Sequence, residues 1–449
     1  MIAARVLLLT LVLLDAAAAR ADIVQESRKV PTAALDVAVE RHVLANGLVV
    51  LLAPDPTASS VAVWLTFRAG AAHVPAGRSG LAHLLEHVVA TGRTPATDYA
   101  GMADARRARY FNASTSADDL AFECVLPPEE LPFALWMQAD RLRRIPELVT
   151  PEEVERSRRI VLEERALGVV DRPYGLVDEQ VSRRLYGARH PLERGVLGAP
   201  EELGRLTAAE LLTFAAGHLV PANGVLVVAG RFDPATALRL ANDGLGRLPA
   251  GVRAVPPRFS PAPQEGSVDQ RAEPLSREPR VSLAWRFQDV PPDQADALRV
   301  GAIMLTFLTD GAWGMRLSAG LEEHEGESTF LVNLTVPYEE PSRVVHDDAA
   351  GFLRMLTHKE IPLELQIAGN LSLDRSSMFA LDSVAERAQL LSRLELWRGA
   401  GDRVGATLAR RWDLEGGVVR DVARQYLRRP PQVVHARPTR PRPARAERE

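Results

Sequence analysis

Two short apolar runs, residues 41–45 and 48–53, flank Asn46-Gly47. An Asn-Gly pair between strand-like runs is the strongest short-range hairpin signal, so both runs are read as strands. Residues 61–67 predict a third strand, halted before Gly70. The period then lengthens: 79–89 reads as an apolar helix, 98–108 as a second helix, and 111–126 as strand. Thr150-Pro151-Glu152-Glu153 predicts a helix start, with threonine as cap, proline at the first helical position and glutamate three residues past the cap. A helix over 208–216 and a strand over 224–229, stopped by Gly230, close this half.

Residues 249–279 are rich in Pro, Arg, Gln and Ser and lose periodicity, which marks a linker. Beyond it come strand-like 281–287, helix-like 295–308 and strand-like 329–336. Helices are expected from 341 to 356 and across 363–396. The two halves close alike, since 214–228 and 422–434 each run helix end, proline, apolar strand. The expected class is α+β: two homologous domains, 22–248 and 280–436, each a mostly antiparallel sheet with helices packed on one face.

The length of 449 residues exceeds what one hydrophobic core sustains and fits this division. A hydrophobic share of 46% excludes wholesale disorder, and a formal charge of −4 argues against a nucleic-acid partner. Arg5, the apolar run 6–14 and Ala19-Arg20-Ala21 form the pattern of a secretory signal peptide over residues 1–21. The protein is therefore expected to be exported, most simply periplasmic, without a stable membrane anchor. A lone Cys124 within apolar 120–126 cannot form an internal disulfide and is read as a small core residue. Residues 437–449 alternate Arg, Pro and Ala and are expected to be a disordered tail.

The chemistry concentrates in Gly80-Leu81-Ala82-His83-Leu84-Leu85-Glu86-His87-Val88-Val89. Without His83, Glu86 and His87 this helix is almost wholly apolar. Those three share one stripe, and three ionisable groups on a buried strip are costly unless something compensates them. Imidazoles at i and i+4 are a standard way for a helix to offer two zinc ligands, and the neighbouring carboxylate can take a proton from water at the metal. A third donor must come from elsewhere. On the helix from Pro151, Glu164 falls on the face of Ser157, Ile160, Val161 and Leu167, whereas Glu163 points about 100° away, so Glu164 is the preferred ligand.

The order H-x-x-E-H is the inverted zinc motif, and the chain resembles the pitrilysin/insulinase family of metallopeptidases, in particular its bacterial and mitochondrial-processing-peptidase-like branch. Phe111-Asn112-Ala113-Ser114-Thr115 resembles that family's Asn-Ala-x-Thr edge strand, and His190-Pro191 with Gly198 and Pro221-x-Asn223 extend the likeness. The resemblance implies one Zn2+ per chain held by His83, His87 and Glu164, with Glu86 as general base. It implies a peptide substrate held along Asn112 and Ala113, and a two-domain chain forming half of a clamshell.

Three positions depart from the family pattern. Ser157 stands where a second glutamate usually steadies the site, and Arg109-Tyr110 replaces a Gly-Gly pair before the edge strand. Glu322 and Thr329 occupy the positions of an Arg and a Tyr that contact substrate and the developing oxyanion. A paralogous partner subunit supplying that Arg and Tyr is therefore expected, with this chain as the metal-bearing member of a heterodimer. A weakly active scaffold subunit and a specialised peptide-processing enzyme in cofactor maturation are the alternatives.

Overall fold

The computed structural model describes residues 37–439 apart from 92, 95–96, 189, 256–265, 308–314, 337–341, 359 and 410–413. The export signal expected over residues 1–21 lies outside the described residues, as does the tail beyond 439.

The first sheet has six strands, β1 (Glu40–Val43), β2 (Val49–Pro54), β3 (Val61–Phe67), β4 (Tyr110–Thr115), β5 (Leu120–Leu126) and β6 (Gly224–Gly230), in the order β1-β2-β6-β3-β5-β4. Every pairing is antiparallel except β2 with β6. One face carries Val50, Leu52, Val63, Leu65 and Phe122 into the main core. That core is completed by α1 (Leu81–Thr91), α2 (Leu131–Arg143), α3 (Pro151–Arg165), α5 (Ala208–His218) and α6 (Pro234–Gly244). Between α3 and α5 lies α4 (Gly175–Tyr186). The Asn-Gly turn forms as expected, with Gly47 at φ +85°. Cys124 is fully buried in this core, and burial pushes its thiol up to about 12, which leaves it inert.

The second sheet runs β7-β11-β8-β10-β9, built from β7 (Ser267–Glu273), β8 (Arg280–Gln288), β9 (Arg316–His324), β10 (Glu327–Thr335) and β11 (Gln432–Pro438). Here only β7 and β11 pair in parallel. Its core gathers Val281, Leu283, Phe330 and Val332 under α7 (Pro292–Phe307), α8 (Ser342–His358) and α11 (Gly416–Leu427). Among the described residues no helix is long and apolar enough to cross a membrane.

Each sheet carries its own half's helices on one face, as expected, and its other face is covered by a helix from the other half. Leu51, Ala53, Ala62, Trp64 and Val227 on the outer face of the first sheet pack against Ala388 and Leu391 of α10 (Val384–Arg398), a helix of the second half. Reciprocally, Val177, Val181 and Leu185 of α4 pack on Ala284, Val434 and Ala436 of the second sheet. Double coverage explains why β3, β5 and β6 are buried at every position and almost wholly apolar rather than alternating, Thr66 and Glu123 being the polar exceptions. Partly buried ion pairs fasten the exchange: Arg41 meets Glu395 at 2.8 Å and Arg387 meets Asp55 at 3.2 Å.

Other expectations shift locally. Residues 111–126 form a hairpin, not one strand, turning at Ser116, whose Oγ accepts from the amides of Asp118 and Asp119. The span 363–396 breaks at Ser383 into α9 (Leu363–Asp382) and α10, with the Ser383 hydroxyl capping α10. Residues 267–273, inside the expected linker, form edge strand β7, whose polar alternation hides it in the sequence. β11 extends to Pro438, two residues into the expected tail.

The turn Ala71–His73 before α1 carries a pH liability. Both ring nitrogens of His73 are buried without a hydrogen-bond partner, and burial, with His218 beside it, lowers its pKa to about 4. The folded value lies below the unfolded one, so this stability is present above about pH 6.5 and is lost as pH falls toward 4. Acidification from about pH 7.5 to 5 is expected to cost roughly 2 kcal/mol through this residue. Urea unfolding at both pH values should show His73→Leu flattening that dependence; an unchanged slope would count against it.

Candidate active site

Helix α1 is buried on nearly all sides, through Leu81, Leu84, Leu85, Val88 and Val89. Its start is fixed from outside the helix. The Ser79 hydroxyl accepts from the Ala199 amide at 3.0 Å, and the Ser79 amide donates to Glu202 at 2.7 Å. So held, α1 stacks the His83 and His87 rings edge to face, with Nε2 atoms 3.1 Å apart. Glu164, in the last turn of α3, brings Oε2 to 3.5 Å from His83 Nε2 and 3.3 Å from His87 Nε2.

These three atoms form a near-equilateral triangle. A tetrahedral zinc ion bonded at about 2.0–2.1 Å separates its donors by roughly 3.3 Å, so the two imidazoles and the carboxylate fit that ion. Burial and the neighbouring His87 lower the His83 pKa to about 4, which keeps the ring neutral and able to ligate at neutral pH.

Glu86 lies beside the triangle, its Oε2 at 3.7 Å from His83 Nε2, and it accepts from the Thr115 hydroxyl at 3.1 Å. Burial, partly opposed by that hydrogen bond and helped by the Glu164 charge, raises its pKa to about 7. A carboxyl beside the triangle is placed to exchange a proton with a group held there. Thr115 was legible only as part of the edge-strand motif; its contact with Glu86 joins residues far apart in the chain.

The helix face proposed for Glu164 is only partly as expected. Val154, Ser157, Val161 and Arg165 form the buried stripe, Glu164 flanks it with its side chain 42% exposed, and Leu167 is exposed. Glu163 is exposed as well. The Ser157 hydroxyl and His83 Nδ1 are both buried without a hydrogen-bond partner, so the position of the expected second glutamate gives the site no ionic support.

Asn112 and Ala113 lie on β4, the outer edge of the six-stranded sheet. Ala113 packs toward the core, while Asn112 is exposed and its Nδ2 donates to the Tyr110 hydroxyl at 3.1 Å. Tyr110 in turn stacks on Trp64 and donates to Glu123. Glu322 and Thr329 face each other across β9 and β10, and Thr329 Oγ1 lies 2.9 Å from the Tyr186 hydroxyl. A cleft of about 600 Å³ between the domains is lined by Asp118, Tyr186, Glu322, Arg393 and Trp397, and none of His83, Glu86, His87 and Glu164 borders it.

A buried helix presents two histidines and a glutamate, with a distal glutamate and a strand edge nearby, an arrangement suited to holding a metal ion. A model described as insulinase (peptidase family M16) matches residues 49–199, and one described as the peptidase M16 inactive domain matches residues 205–347. The chain belongs to this insulinase family. It is 29% identical over 238 residues to an uncharacterized zinc protease of Mycobacterium leprae, covering 52% of each chain. It is 26% identical over 315 residues to the probable mitochondrial-processing peptidase subunit beta of Schizosaccharomyces pombe, covering 65% of each. These matches span about half to two thirds of the relatives' length. The crystal structure of a protease from Helicobacter pylori shares the fold, with a TM-score of 0.78 and 18% identity over 89% of this chain and 99% of that one.

Proposed function

We propose that this chain is an exported zinc-dependent endopeptidase that cleaves extended or unfolded peptides. The carrying observation is the triangle of His83, His87 and Glu164 donors with the Glu86 carboxyl beside it. Zinc bound there supplies a Lewis acid for the scissile carbonyl and makes water more acidic. Glu86 takes the water proton at its carboxylate and returns it to the leaving amine, with Thr115 holding Oε2 in place. The free edge of β4 receives the peptide main chain by strand addition near Asn112 and Ala113, which favours loose sequence preference. Export rests on the apolar run and small-residue site within residues 1–21.

The chain acts as the metal-bearing member of a heterodimer. Glu322 offers no hydrogen-bond donor to an oxyanion, and Thr329 is engaged with Tyr186. Each such donor is typically worth a few kcal/mol, so a partner chain supplies them. The beta subunit among the relatives accords with a shared assembly. A fluorogenic unstructured peptide tests the reading. Cleavage should vanish on chelation, return with zinc, and rise about 100-fold or more when a paralogue carrying the Arg and Tyr is added. Cleavage indifferent to the chelator would sink the zinc mechanism, and full activity of the lone chain would sink the pairing.

A further inference from the structure

Apart from its contacts with His83 and His87, Glu164 is held mainly by its own backbone. Its side chain is 42% exposed, and the last turn of α3 runs directly into a π-helical segment, Ala166–Val170, in which no residue is buried. Leu167 and Val170 are exposed at 71% and 42%, so apolar packing beyond Glu164 does not fix the helix end. Upstream, the buried Ser157 hydroxyl makes no hydrogen bond.

The neighbouring residue supplies the anchor. Arg165 has a side chain only 11% exposed, donating from Nε to the Gly198 carbonyl at 3.0 Å and from its terminal nitrogen to Glu179 of α4 at 2.9 Å. Gly198 reaches the segment that leads into α1. It adopts φ +72°, and a Cβ there would come within 2.6 Å of the Ser79 backbone and the Gly80 nitrogen. Ala199 and Glu202 then hydrogen-bond to Ser79. A continuous chain of contacts therefore runs from the backbone beside Glu164, through Arg165 and Gly198, to the start of the helix bearing His83 and His87.

We infer that Arg165 is a positioning residue for the metal site, setting the separation between the Glu164 carboxylate and the two imidazoles. This rests on the reading of Glu164 as a zinc ligand. The guanidinium suits the task because its fork joins a carbonyl and a carboxylate at once in a buried place, which an ammonium on a flexible stem does less well. Loss of groups that orient metal ligands typically weakens binding about 10–100-fold.

The test is zinc affinity of the full chain, measured by chelator competition, with thermal unfolding of the zinc-free protein alongside. Arg165→Met is expected to weaken zinc about 10–100-fold, Arg165→Lys to recover part of that, and Glu164→Ala to weaken it further. Because Arg165 acts through Glu164, adding Arg165→Met to Glu164→Ala should cause little additional loss. Native affinity in Arg165→Met, or an equal loss in the Glu164→Ala background, would overturn the inference. Native affinity in Glu164→Ala would instead remove the ligand assignment beneath it. Should Arg165→Met fail to fold, Glu179→Gln takes its place; it loosens one arm of the fork and should weaken zinc several-fold, with unchanged affinity again overturning the inference.

Discussion

Glu86→Gln is expected to lower peptide cleavage by about 10³-fold or more while leaving fold and zinc content unchanged. Glutamine has the same shape and can still meet the Thr115 hydroxyl, so the packing of α1 is preserved. It cannot accept the proton of an attacking water, which is the one property the reaction needs at this point. Zinc would still be held, because Glu86 lies outside the triangle made by His83, His87 and Glu164. Single-turnover cleavage together with elemental analysis separates the two effects. A variant within tenfold of the native rate would remove Glu86 as base.

His83→Ala and His87→Ala are expected to take zinc content from one ion per chain to nearly none after dialysis. Structural zinc sites bind with about 10–16 kcal/mol, so one donor among three represents roughly 4 kcal/mol, or on the order of 10³ in affinity. His83→Ala also removes an imidazole whose Nδ1 is buried without a partner, so the zinc-free variant should be no less stable than the zinc-free parent. Near-stoichiometric zinc in both variants would place the metal elsewhere. Thermal unfolding with and without added zinc gives an independent reading, since the stabilising shift seen in the parent should disappear.

Much of this site was legible because its central residues lie on one helix. Spacing alone puts His83, Glu86 and His87 on a common stripe, and an apolar helix makes polar residues conspicuous. Glu164 was legible through the face it shares with Ser157 and Val161, although that face proved to end at Arg165 rather than Leu167. Thr115 and Arg165 act through contacts between distant segments, for which local periodicity holds no signal. The hairpin turn after Thr115 contains no glycine or proline, so residues 111–126 read as one strand. β7 escaped because an edge strand with polar alternate positions resembles a loop in composition. Helices α2, α4 and α6 were not anticipated; α4 carries its apolar residues as Val177, Val181 and Leu185 to meet the second sheet, whose strands lie far along the chain.

The exchanged helices also bear on how substrate enters. Because α10 seals the outer face of the first sheet and α4 seals that of the second, sliding one domain over the other would expose both apolar faces at once. The two domains therefore move as one stiff jaw, carrying the metal helix and the β4 edge together. In the proposed heterodimer a gap wide enough to admit a polypeptide would open between this jaw and the partner's, which would make the gate a property of the assembly and its rate sensitive to the contact between chains.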